Sequence, residues 1–281
     1  MSIVFEKVSH CYLAESSLAF KALSSVSLTI EEGCFTGIIG HTGSGKSTFL
    51  QHLNGLLLPS EGTVTVDGLD TKNKANLKQI RSRVGIVFQY PEYQLFEETV
   101  LKDVMFGPKN MGLSEDECRD RAVEALEQVG LNPKHFSDQS PFDLSGGEKR
   151  RAALAGVLAM KPKYLALDEP MAGLDPCGRK EIMALLSHFQ KDLGCTVIMV
   201  SHSMDDIAKC AEHVIVLDRG SVVMSGAPRE IFSSEEELEK LSLSVPQVVK
   251  LTHLLIKNGM DLPSDIITPS ELASALLGEV D

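Results

Sequence analysis

Nine consecutive residues carry the strongest chemical pattern in this 281-residue chain. Gly40-His41-Thr42-Gly43-Ser44-Gly45-Lys46-Ser47-Thr48 fits the spacing G-x-x-x-x-G-K-[ST]. Glycines at these positions let backbone N–H groups turn inward and cradle phosphate oxygens. Lys46 brings a point charge to the outer phosphates of a nucleoside triphosphate, and Ser47 offers a hydroxyl to Mg2+. Such a loop needs a strand before it and a helix after it, because the helix N-terminus aims its positive end at the anion. The apolar run Cys34 to Ile39 suits the strand, and the residues up to Pro59 suit the helix. The plain alternative is a glycine-rich turn with a surface lysine, and the flanking elements argue against it.

Two further runs complete the chemistry. Tyr164-Leu165-Ala166-Leu167-Asp168-Glu169 ends an apolar strand in two carboxylates. Asp168, at the C-terminal end of a parallel strand, can hold Mg2+ through water. Glu169, one residue on, can orient and deprotonate a water aimed at the terminal phosphate. Alone, this run is equally a plain strand end; paired with the phosphate loop it gains force. Leu144-Ser145-Gly146-Gly147-Glu148 opens a helix through a Ser145/Glu148 capping box. Ser145 can be simply a cap. Two glycines in a first turn weaken a helix, but they suit a place where a ligand approaches bare N–H groups.

The elements around these runs read as follows. Ile3 to Val8 and Leu23 to Ile30 alternate apolar and polar, as half-exposed antiparallel strands do. Glu61 to Asp67, Val84 to Phe88, Thr196 to Val200, Val214 to Leu217 and Ser221 to Ser225 read as further strands, the last two joined by the Asp218-Arg219-Gly220 turn. From Pro91 to Met160 the pattern is mostly helical, with a Ser114/Glu117 capping box and an apolar stripe of Cys118, Ala122, Ala125, Leu126 and Val129. Asp175-Pro176 starts a helix that Gly194 closes after Leu193. After Pro228 the texture changes: residues 229–281 hold four basic and ten acidic side chains. There Pro246 to Asn258 is amphipathic, and Thr268-Pro269-Ser270-Glu271 is another capping box. No internal repeat or low-complexity tract is evident.

Composition narrows the function classes. A 43% apolar chain can bury a sizeable core, and its 27 basic against 39 acidic residues give a net charge of −12. That balance opposes a nucleic-acid partner, whose proteins present basic faces. The longest apolar stretch, Ala152 to Met160, falls far short of the ~18 residues of a spanning helix. No secretory leader is expected from the first residues, and six scattered cysteines without a C-x-x-C pair suit reduced thiols in a cytosolic chain.

Together these motifs resemble an ATP-binding cassette (ABC) ATPase. Gly40–Ser47 is similar to its Walker A, Leu165–Glu169 to Walker B, Leu144–Glu148 to its LSGGE signature, Gly173-Leu174-Asp175 to its D-loop, and Val200-Ser201-His202 to its switch segment. The resemblance covers nearly all of residues 1–228. It implies an α/β P-loop NTPase fold with an N-terminal antiparallel β-subdomain, an inserted helical subdomain and a small helical C-terminal domain. The implied division is a nucleotide-binding domain over 1–228, with its core in 1–89 and 161–228 and its helical part in 90–160, followed by 229–281. It further implies a head-to-tail dimer in which the signature of one subunit closes on ATP held by the other. By the same resemblance Gln89 senses Mg2+ and the attacking water, and His202 contacts the γ-phosphate. Tyr12 stacks on adenine, with a core role for Tyr12, or Phe20 in its place, as the alternatives. Gln89 as a polar strand end and His202 as a neighbour of a helix cap are the bland readings.

A narrower resemblance rests on Phe88-Gln89-Tyr90-Pro91-Glu92-Tyr93-Gln94-Leu95-Phe96-Glu97-Glu98-Thr99-Val100, with Asp103-Val104 and Phe106-Gly107-Pro108. It is similar to cobalt and energy-coupling factor (ECF) importer ATPases, and the Gln-Leu-Phe-Glu-Glu-Thr form looks like their second A-component. That implies a paralogous ATPase partner, an integral membrane coupling (T) subunit, a substrate-binding S-component and a place at the cytoplasmic face of the cell membrane. Clustered acids Glu92, Glu97, Glu98 and Asp103 around Leu95, Phe96 and Val100 suit either a solvated surface or a groove for a basic, partly apolar helix. The helix with Val248, Leu251, Leu254 and Leu255 can dock on its own chain or on a partner; binding to anionic lipid is disfavoured by the local negative charge. Competing classes are a soluble ABC ATPase of DNA repair or translation and a non-hydrolysing nucleotide-gated regulator. The short spacing between Lys46 and Ser145, the single cassette and the intact Glu169 and His202 argue against them.

Overall fold

A computed structural model of the chain describes residues 1–278. Two strands, β1 (Ser2–Tyr12) and β2 (Phe20–Glu31), lead into β3 (Phe35–Ile39), and the glycine loop follows before α1 (Lys46–Leu53). Then come β4 (Glu61–Val66), β5 (Leu69–Asp70), α2 (Leu77–Arg83) and β6 (Val84–Val87). A helical stretch follows with α3 (Val100–Met111), α4 (Glu115–Gln128), α5 (Pro133–Phe136) and α6 (Gly146–Leu158). The chain returns through β7 (Tyr164–Asp168), α7 (Pro176–Lys191), β8 (Thr196–Val200), α8 (Met204–Cys210), β9 (His213–Asp218) and β10 (Ser221–Gly226). Four helices close it: α9 (Pro228–Ser233), α10 (Glu235–Lys240), α11 (Gln247–Lys257) and α12 (Pro269–Leu277).

The strands form two sheets. One is antiparallel with order β2-β1-β4-β5, and the other runs β10-β9-β3-β8-β7-β6, parallel except for the β9–β10 hairpin. In the antiparallel sheet Ile3, Phe5, Val26 and Ile30 point inward, as the alternating sequence demands, and Phe5 stacks on Phe49 of α1 at 4.5 Å. The parallel strands are buried on both faces, so they read as unbroken apolar runs. Their alternate residues nevertheless separate. Ile38, Ala166, Ile198 and Leu217 pack toward the antiparallel sheet and α1, whereas Ile39, Leu167, Val197 and Val216 pack toward the helical elements.

Several local expectations need adjustment. The first helix stops at Leu53, well before Pro59, because Gly55 takes a left-handed φ of 66° and starts a turn. Helix α7 ends at Lys191, with Gly194 two residues past its cap rather than at it. Helix α2 has no clear signal in the sequence. Both middle-region features hold: Ser114 and Glu117 cap each other, and the Cys118, Ala122, Ala125 and Leu126 stripe is buried. Near the C-terminus Val248 and Phe232 share one apolar core with Ile207 and Phe189, and Leu255 packs at its margin. Leu251 and Leu254 remain exposed.

Candidate functional site

Parallel pairing decides where the chemistry lies. Strands β3, β6, β7, β8 and β9 all run the same way, so their C-terminal ends deliver the glycine loop, Gln89, Asp168–Glu169, His202 and Asp218 to one edge of the sheet. The loop itself is held from several sides. A Cβ on Gly40 would strike the Leu217 carbonyl oxygen and Ser44 Oγ, so only glycine fits there. Gly45 has φ 103°, and its absent Cβ would lie 2.5 Å from the Ala22 carbonyl oxygen. The Gly220 N–H donates to the Ser44 carbonyl at 2.9 Å, and Gly220 in turn accepts from the Ser24 N–H at 2.8 Å. The hairpin turn thus clamps the loop against β2.

Lys46 lies folded into this loop. Its Nζ donates to the Gly40 carbonyl at 2.7 Å and the His41 carbonyl at 2.9 Å. Burial pulls its ammonium below the usual lysine range, opposed by the nearby Glu169 and Asp168 carboxylates. Thr42, Gly43 and Ser47 face solvent, while Ser44 Oγ is buried without a hydrogen-bond partner. His41 Nδ1 contacts the Thr42 carbonyl at 2.7 Å, and Nε2 contacts Asp218 at 2.8 Å. Asp218 has no motif of its own in the sequence; only its place at the end of a parallel strand points to it.

Beside the loop, Tyr12 is 36% exposed, and its hydroxyl lies 3.2 Å from Thr48 Oγ1. Tyr12 is therefore not a core aromatic, and Phe20, its rival for the stacking position, is also exposed. His10 packs edge-on against Tyr12 at 4.6 Å and against the buried His52 at 4.8 Å. His52 is fully buried: its Nδ1 bonds the Thr48 carbonyl at 2.7 Å, and burial lowers its pKa to about 4.

Across the loop the carboxylates converge with Gln89 and His202. Glu169 Oε1 lies 2.8 Å from His202 Nε2, and Oε2 accepts from Gln89 Nε2 at 3.5 Å. The Glu169 N–H donates to the Val200 carbonyl at 3.1 Å, which locks the end of β7 to β8. Glu169 has φ 49°, a left-handed conformation costing a non-glycine residue roughly 1–3 kcal/mol. Asp168 is nearly buried. Ser47, Asp168 and Gln89 offer only hard oxygen donors, and among the described residues no group of three or more His, Cys, Asp or Glu is gathered for a metal. That set fits Mg2+, which keeps waters and phosphate oxygens in its shell.

The signature helix is different in kind. Ser145 caps α6 by accepting from the Glu148 N–H, and Glu148 returns a bond to the Ser145 N–H at 2.8 Å. The Ser145 hydroxyl, which donates to the same carboxylate at 2.6 Å, and then the Ser145 N–H hold the Glu148 carboxyl below the usual range. Ser145, Gly146 and Gly147 are exposed, and a Cβ at either glycine would meet nothing within 4 Å. Among the described residues no hydrogen bond joins 144–148 to 40–48. Asp175 caps α7, accepting from the Gly178 N–H at 2.7 Å.

The acidic cluster after Gln89 is divided. Asp103 turns inward and accepts from the Phe96 and Glu97 N–H groups, both at 2.9 Å. Glu92 pairs with Arg150 at 3.1 Å, and Glu98 pairs with Lys102. Neither Glu92 nor Asp103 therefore presents a free carboxylate to an incoming helix. A cavity of about 810 Å³ does lie here, between α2, α3 and α6, lined by Leu95, Phe96, Phe106 and Met160 with Lys78 and Arg81 on its far wall. Phe96, 57% exposed, meets Phe106 edge-on at 4.9 Å. The groove is apolar with mixed charge at its rim, not the acid-lined trough that the sequence suggested.

Comparison with known proteins decides the family. The ABC transporter family matches residues 23–172. The energy-coupling factor transporter ATP-binding protein EcfA2 of Clostridium perfringens is 51% identical over 278 residues, covering 99% of this chain and 98% of the relative. The chain belongs to the energy-coupling factor branch of the ABC transporter ATPases. Another ATPase of this branch, EcfA2 of Symbiobacterium thermophilum, is 54% identical over 279 residues, covering 99% and 96%. Among solved structures, cbiO1 from Clostridium perfringens, part of the ABC transporter complex cbiONQ, matches with TM-score 0.74 and 39% identity over 90% of this chain and 98% of that one. A dimeric post-hydrolysis state of the ATP-binding cassette MJ0796, bound to ADP and Pi, matches with TM-score 0.72 and 32% identity over 80% and 98%. The ABC-type α/β fold and the likeness to ECF ATPases expected from the motifs both hold. Membership makes ATP the substrate and hydrolysis the activity. Among the described residues no helix is long and apolar enough to cross a membrane.

Proposed function

We propose that this chain is the ATP-hydrolysing subunit of an ECF-type importer that takes up vitamins or other micronutrients. It works at the cytoplasmic face of the membrane, beside a paralogous ATPase, a membrane T subunit and an S-component. One observation carries the reading: Gln89 and His202 both reach Glu169 beside the Lys46 loop, while the first turn of the signature helix, Ser145 to Gly147, is exposed and makes no hydrogen bond to that loop among the described residues. Tyr12 receives the adenine, and the loop amides with Lys46 take the phosphates. Ser145, Gly146, Gly147 and Glu148, with Asp175 nearby in sequence to the Glu169 turn, present to the partner's nucleotide. When bound, Mg2+ on Ser47 and Asp168, with Gln89 close by, offsets phosphate charge. Glu169 orients the attacking water and takes its proton, and His202 holds the carboxylate and the terminal phosphate in line. The division into a domain over 1–228 and a C-terminal helical part over 229–281 belongs to the same reading.

Leu95, Phe96 and Phe106 form the seat for a partly apolar helix of the membrane subunit, with Glu97 and Glu98 at its approach. Charge reversal at Glu97 and Glu98 should weaken co-purification with that subunit; unchanged assembly would remove both acids from the contact. For the site itself, Glu169→Gln should retain ATP binding and cut turnover by roughly a hundredfold or more, the scale of lost general-base work. Near-normal hydrolysis in that variant would end the assignment of Glu169.

A further inference from the structure

Arg150 lies on the second turn of α6 and is only 6% exposed, a costly place for a guanidinium unless every face is engaged. It is engaged in two directions. Nε and Nη2 grip both oxygens of Glu92, at 3.3 and 3.1 Å. Nη1 donates to the Pro170 carbonyl at 3.3 Å and the Ala172 carbonyl at 2.9 Å. Those two carbonyls bracket the turn that begins at Glu169, whose own carbonyl accepts from the Ala172 N–H at 3.1 Å. A left-handed glutamate at that point persists only where its surroundings leave it no alternative. The planar, forked guanidinium supplies that constraint in a way an ammonium cannot. Its other arm ends three residues beyond Gln89, on the segment whose Gln94 and Leu95 line the apolar groove.

We propose that Arg150 is a positioning residue for ATP hydrolysis, a strut that joins the groove-lining segment at Glu92 to the turn that aims Glu169. The inference rests on the reading of Glu169 as the group that activates water. Arg151, next along the helix, serves as an internal control: it pairs with Glu181 of α7 at 3.3 Å and touches neither the turn nor Glu92.

The test uses the intact transporter, purified with its membrane subunits and partner ATPase. Arg150→Lys should lower kcat for ATP about tenfold while KM stays within about twofold, because aim is lost and binding is not. Arg151→Lys should leave kcat within about twofold. Adding Arg150→Lys to Glu169→Gln should cost nothing further, since both act on one step. Thermal midpoints for each variant separate loss of aim from loss of folded protein. Fully additive losses in the double variant, equal losses from Arg150→Lys and Arg151→Lys, or a fall in kcat matched by the loss of folded material would each overturn the strut. Near-normal turnover by Glu169→Gln alone would overturn the underlying reading of the site instead.

Discussion

Two glycine-rich helix starts in this chain use the same residues to opposite ends. The loop before α1 is clamped: Gly40 and Gly45 are packed against carbonyls, Ser44 is buried, Lys46 is folded in, and Gly220 holds the loop from behind. The start of α6 is bare: its two glycines meet nothing, and the Ser145/Glu148 capping box closes its first turn. A site that grips a polyanion must exist before the anion arrives, so its amides are fixed at folding. A surface that seals someone else's nucleotide must stay uncovered until the partner comes, so its glycines are kept for access.

That contrast can be broken by substitution, and the largest effect belongs to the clamped side. Gly45→Ala should destabilise the fold by at least about 3 kcal/mol, from a left-handed alanine plus a clash with Ala22, as read by denaturant unfolding. A normal midpoint would mean the loop is softer than its packing implies. Next comes the buried His52 behind Tyr12, with a folded pKa of about 4 against an ordinary 6.5. The unfolded chain takes up a proton there before the folded one does, so stability falls as pH drops from about 6.5 to 4. The loss amounts to about 3 kcal/mol at most, and His52→Leu should flatten that slope. Urea midpoints between pH 7 and 4 check both statements, with His10 as the neighbouring group to control for. Lys46→Ala should weaken ATP binding about thirtyfold, near the 2 kcal/mol of a charge-assisted hydrogen bond, in a nucleotide titration. Smallest and opposite in sign, Gly147→Ala should stabilise the isolated chain by less than about 1 kcal/mol while slowing ATP hydrolysis in the assembled pair. Destabilisation by Gly147→Ala would erase the distinction between the two helix starts.

The contiguous parts of the site could be read directly from the sequence. The phosphate loop, the Asp168-Glu169 strand end and the Ser145/Glu148 box each announce themselves within nine residues, because local backbone chemistry demands particular residue types at fixed spacing. Contacts that join distant segments left no such trace. Asp218 meets His41 across 177 positions, and Arg150 meets Glu92 across 58. A carboxylate looks the same in sequence whether it faces water or an arginine, which is why Glu92 read as a groove residue and proved to be an internal tie to Arg150. The parallel strands hid a different fact. With both faces buried, their uniform apolar runs cannot say which residue faces which layer. The end of α1 was missed because the stop lies in the left-handed turn at Gly55, whereas Pro59 is the more visible signal.

The clamp at Gly220 has a consequence for biosynthesis. The phosphate loop lies in the first fifth of the chain, yet the N–H that braces Ser44 and the carboxylate that meets His41 come from the last sheet hairpin. A polypeptide emerging from the ribosome therefore carries the complete loop sequence long before it has the strut that sets its shape. The braced form of the loop therefore cannot assemble before residues near 220 have been made.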